Sequence, residues 1–143
     1  MRLIDKHTDR QLIQKLHKLK EQPDAIGSQR YIHFKFSGQL KTFTREQVCQ
    51  VVVAAAEKCI QDADHEIYVC EDGDIFIFAA DMSQESALKM MLGVTSKMRV
   101  PVTENYAGLY EMKSNIEKLL ITVEHKLERC TERSALNRFH CES

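Results

Sequence analysis

Two β-rich runs, Ile67-Tyr68-Val69-Cys70 and Ile75-Phe76-Ile77-Phe78, flank Asp72-Gly73 and constrain this chain more than any other stretch. Asp-Gly between apolar residues signals a hairpin, because a type I′ turn needs φ > 0 at both central positions. A two-residue turn predicts that Cys70 faces Ile75, Val69 faces Phe76, Tyr68 faces Ile77 and Ile67 faces Phe78. Both faces of such a hairpin are apolar, so it belongs inside a sheet covered on two sides, with only its acidic tip in solvent.

The surrounding pattern supplies the covers. Thr8-Asp9-Arg10-Gln11 reads as a capping box opening a helix with Leu12, Ile13, Leu16 and Leu19 on one stripe, stopped by Pro23 and Gly27. It is expected to lie over the core; Leu12, Leu16 and Leu19 are its candidate contacts with a partner. Tyr31 to Phe36 alternates and predicts a first strand with Ile32, Phe34 and Phe36 on one face. Thr44-Arg45-Glu46-Gln47 is a second capping box, starting a helix through about Ala63 with Val48, Val51, Val52, Ala55, Ala56, Cys59 and Ile60 on its apolar face. After the hairpin, Ser83 caps a helix whose inner stripe is read as Leu88, Met91, Leu92, Thr95 and Met98. Residues 105–111 are a short candidate strand, weakened by Gly108. Ser114-Asn115-Ile116-Glu117 reads as a third capping box, opening a helix with a seam at Ile116, Leu120, Val123, Leu127 and Cys130. Val123 and Leu127 are its candidate interface residues.

The expected fold is α+β: a ferredoxin-like, cyclase-palm β-α-β-β-α-β mixed sheet with an N-terminal helix and a long C-terminal one. The organisation expected is a helix and linker over 1–27, a palm domain over 28–130 and a polar tail over 131–143.

Charge narrows the partners. The 143 residues carry a net charge of −1, which removes the basic footprint of a dedicated nucleic-acid binder. No apolar run has the length of a signal peptide core or a membrane span, so a cytoplasmic protein is expected. The five cysteines show no C-x-x-C spacing and are read as reduced thiols; neither a structural metal nor a cofactor is expected.

The element order, with an acidic, glycine-containing hairpin between the second and third strands, resembles the GGDEF domain of bacterial diguanylate cyclases. Against Gly-Gly-Asp/Glu-Glu-Phe this chain has Asp72-Gly73-Asp74-Ile75-Phe76, keeping Gly73, Asp74 and Phe76. The resemblance implies a two-metal phosphoryl-transfer site fed by one acid from the first strand and two from the hairpin. Nothing between Gln29 and Arg45 is acidic, and Ile75 replaces the second hairpin acid. The family's inhibitory Arg-x-x-Asp would fall near Ala63-Asp64-His65-Glu66, which has no arginine. The expectation is a degenerate, non-enzymatic domain serving bacterial signalling as a regulatory or interaction module, its partner another protein or its own copy in a homodimer. Arg30, His33, Lys35, Lys41 and Arg45 make the first strand locally basic and are the candidate phosphate contacts, although a solvated face is the more ordinary reading. Two alternatives use the same elements: a ferredoxin-like sensor binding a small effector at a dimer interface, and an enzyme built on His33, Cys70 and Asp74.

Overall fold

The computed structural model describes residues 1–39, 42–60 and 64–141. Its order is β1 (Arg2–Ile4), α1 (Thr8–Glu21), α2 (Pro23–Ile26), β2 (Arg30–Phe34), α3 (Arg45–Cys59), β3 (His65–Val69), β4 (Ile75–Ala79), α4 (Gln84–Met98), β5 (Ala107–Glu111) and α5 (Met112–Cys141). The five strands form one mixed sheet in the order β1-β3-β4-β2-β5. Strands β2 and β3, joined through α3, run parallel with β4 between them; β4 and β5, joined through α4, run parallel with β2 between them. Two β-α-β units are therefore interleaved, and every contact among these four strands is antiparallel.

Strand alternation divides the core into two chemically different layers. Ile32, Phe34, Ile67, Val69, Ile75 and Ile77 face α3 and α4, where Val48, Val52, Ala56, Met90, Val94 and Met98 meet them. On the other face Tyr31, Tyr68, Phe76 and Phe78 meet α1 and α5 through Leu12, Leu16, Met112, Ile116, Leu120 and Val123. The rings pack closely: Tyr31 stacks on Tyr110 with centroids 5.3 Å apart, and Tyr68 meets Phe78 edge-on at 5.5 Å. Each fully buried apolar side chain of this size contributes roughly 1.5–3 kcal/mol, so the second layer matters as much as the first. The hairpin with two apolar faces is thus a real core element, covered on both sides.

The hairpin register differs from the expected one. Val69 pairs with Ile75, Tyr68 with Phe76 and Ile67 with Ile77. The connection is a three-residue loop: Gly73 N–H donates to Cys70 O at 3.1 Å and Cys70 N–H to Asp74 O at 2.9 Å. Only Gly73 has positive φ, +98°, where a type I′ turn would demand the same of Asp72. This single-residue slip sorts aliphatic side chains to one face and aromatic ones to the other, and turns Cys70 and Asp74 toward α1 and α5.

Other departures have local causes. Strand β1 was not expected; three residues are too few to show a period, and its parallel pairing with β3 is a long-range contact. The capping boxes at Thr44 and the N-cap at Ser83 form, Thr44 Oγ1 and Ser83 Oγ accepting main-chain N–H groups at 3.1 Å. The one read at Thr8 does not: His7 is the N-cap, Thr8 turns its hydroxyl back to Ile4 O, and Gln11 Nε2 donates to Lys6 O at 2.8 Å. The Ser114 box is also absent, because α5 starts at Met112 directly from β5 and Ser114 is already helical. That helix continues through Cys141, past residue 131 where a polar tail was expected. On α4, Leu88 and Leu92 are 52% and 47% exposed, and Ala87, Met90 and Val94 take the inner positions. Helix α3 ends at Cys59, and residues 61–63, where it was expected to finish, lie outside the described residues.

Candidate functional site

A polar cluster interrupts the aromatic layer where β2, the hairpin loop and α5 meet. Asp74, the first residue after the loop, holds its carboxylate in place through three donors. Ser37 N–H reaches Oδ1 at 3.0 Å, and Lys126 Nζ reaches Oδ2 at 2.9 Å. His33 Nε2 is also 2.9 Å from Oδ2. An ionised carboxylate only accepts, so His33 carries a proton on Nε2. The His33 ring is fixed from the side by stacking on Phe76, centroids 4.1 Å apart.

Lys126 bridges both hairpin acids, bonding Asp72 as well as Asp74, with 6% of its side chain exposed. Asp72 Oδ1 in turn accepts the Asp74 N–H at 3.0 Å, an Asx contact that shapes the loop. Burial pushes the Asp74 carboxyl up, but the hydrogen bond from His33 and the charge and hydrogen bond of Lys126 outweigh it and bring the pKa to about 2. Burial pulls Lys126 down, yet the Asp74 charge and the bonds to both acids leave its pKa raised. The group is a closed, ionised network inside an apolar layer.

Beside it lies a pair of opposite character. Cys70 and the buried Asp9 share a hydrogen bond. Burial raises the Asp9 carboxyl, and burial followed by the Asp9 and Asp72 charges holds the Cys70 thiol well above its usual range. A thiol so placed stays protonated and is a poor nucleophile.

The structure brings together His33, Asp72 and Asp74, with Gly73 at the bend and Phe76 as the stacking surface. It does not bring together the basic residues of the first strand. Arg45 spends its guanidinium on main-chain carbonyls of Asp5 and Val69, both at 2.7 Å, and of Cys70 at 3.0 Å. Lys35 donates to Glu104 O at 2.9 Å and to the Tyr110 hydroxyl at 3.2 Å. Arg30 reaches Met82 O at 3.4 Å, and Lys41 lies outside the described residues. These cations brace the fold instead of converging on an anion. Leu12, Leu16 and Val123 are fully buried in the aromatic layer, and Leu19 and Leu127 sit at its half-buried margin. A seam with a partner through the first three would require the helices to leave the sheet.

Sequence reasoning missed Lys126 and Asp9. The readable sign for Lys126 was its place three residues after Val123, on the stripe that also holds Ile116 and Leu119. A lysine on a buried stripe implies a buried counter-charge.

Among the described residues no group of three or more His, Cys, Asp or Glu side chains is arranged to hold a metal ion, and no helix is long and apolar enough to cross a membrane. Comparison with protein-family models, with curated proteins and with solved structures returns no match.

Proposed function

We propose that this chain is a catalytically silent domain of the GGDEF-like cyclase-palm kind, acting as a regulatory or protein-interaction module in bacterial signalling. The observation that carries the reading is the Lys126 ammonium between Asp72 and Asp74. Phosphoryl-transfer palms need carboxylates converging on divalent cations; here a side chain of the same protein supplies the positive charge beside the hairpin acids. Any metal recruited by these acids has to displace a buried, doubly bonded lysine. The interleaved β-α-β order, with the acidic hairpin at the centre of the sheet, supports the palm comparison. The engagement of Arg30, Lys35 and Arg45 by the fold itself supports the loss of nucleotide binding.

Calorimetric titration with GTP and Mg²⁺ and with cyclic di-GMP, followed by chromatography of the GTP reaction, tests it. The expected result is no saturable heat and no cyclic product. Formation of a cyclic dinucleotide overturns the proposal, and micromolar binding of either nucleotide replaces the interaction module with a nucleotide sensor.

A further inference from the structure

The outer surface of the α3/α4 layer carries a groove that the palm reading does not use. Its volume is about 710 Å³, and its floor is formed by Val51, Ala54, Ala55, Leu92 and Gly93. Leu92 is nearly half exposed. At 1.5 Å per residue the α3 wall from Val51 to Cys59 runs about 12 Å, and the α4 wall from Ser86 to Lys97 about 16 Å. That is the seat of two to three helical turns. The groove is open at Gly93, where a Cβ would meet nothing within 4 Å.

The rim is cationic. Lys58, Lys89 and Lys97 border the floor. Lys89 is shared with Glu85 at 3.4 Å, a highly exposed pair of little energy. Neither Lys58 nor Lys97 forms an ion pair among the described residues. We propose that this groove docks an amphipathic helix of a partner protein, one with an apolar stripe and acidic flanks. A second copy of this chain is a poor occupant: α1 presents Arg10, Lys18 and Lys20 outward, and the exposed side of α5 mixes both signs.

The test uses the full chain and two 16-residue helical peptides with the same leucine stripe, one flanked by glutamate and the other by lysine, read by fluorescence anisotropy. Saturable binding of the glutamate peptide is expected, at least tenfold tighter than that of the lysine peptide and weakening with salt. Gly93→Trp, which fills the groove, and the doubly substituted Lys58→Glu/Lys97→Glu chain should each weaken it tenfold or more with unchanged circular dichroism. Two variants of opposite chemistry guard against a folding defect in either. Absence of saturable binding, equal binding of the two peptides, or binding indifferent to both variants overturns the proposal. So does binding of anionic lipid vesicles, lost in the same variants, by a chain that ignores the peptides. The nucleotide titration above has no bearing on this groove, so the two proposals fail separately.

Discussion

Replacing Lys126 by methionine isolates the ionic network from its packing, because methionine keeps most of the apolar stem and removes the charge. In the wild-type chain the fall of the Asp74 pKa from its ordinary 3.8 to about 2 corresponds to roughly 2 kcal/mol of stability. The folded-state value is the lower one, so this contribution is complete above pH 4 and disappears as the pH falls through about 2. Lys126 supplies part of that shift, and its loss also strands Asp72. Breaking a buried pair from one side costs about 3–5 kcal/mol, and His33 and Ser37 still hold Asp74, so about 3 kcal/mol at neutral pH is expected. Near pH 2, where Asp74 is half protonated, the penalty should fall below about 1.5 kcal/mol. Urea denaturation followed by circular dichroism measures it, the chain having no tryptophan. Asp74→Asn on top of Lys126→Met should return at least about 1 kcal/mol, since the buried charge goes with its partner. A penalty below about 1 kcal/mol at pH 7, or the same penalty at both pH values, refutes the network as described.

Asp9→Asn is expected to raise the thermal midpoint at pH 7. The folded-state pKa of Asp9 is raised, so wild-type Asp9 loses stability as pH rises above the unfolded value of 3.8; the difference between the two chains should vanish near pH 3. Arg45→Met removes donors from three main-chain carbonyls and should cost about 2–3 kcal/mol in urea denaturation, with no change in any nucleotide titration. Gly108→Ala drives a methyl into the Tyr110 ring, which lies within 2.7 Å of the new atom; displacing it from Tyr31 and Lys35 should cost about 1–2 kcal/mol, read as a lower thermal midpoint.

Much of the architecture was legible because it is written locally. Capping at Thr44 and Ser83, the alternation of Tyr31 to Phe36 and the stripe of α3 each lie within a few residues, the range over which backbone propensity and amphipathic period act. The two-faced hairpin required covers on both sides of the sheet, and α1 and α5 provide the second. Half of the site was legible for the same reason: Asp72, Gly73 and Asp74 are neighbours in one loop.

Contacts between distant residues decided the rest. Lys126 stands 52 residues from Asp74, and His33 stands 41 from it, so no local pattern joins them. The three-residue loop, not the two-residue one, was selected because it asks for positive φ at Gly73 alone and lets aromatic and aliphatic side chains separate onto opposite faces. Strand β1 exists only because β3 offers it an edge. Composition and periodicity determined where β2 to β5 and the main parts of α1, α3, α4 and α5 would lie, and that both sheet faces would be dry. Only tertiary packing could turn a lysine inward onto two hairpin acids, because burying a charge is tolerated where, and only where, the folded chain delivers its counter-charge.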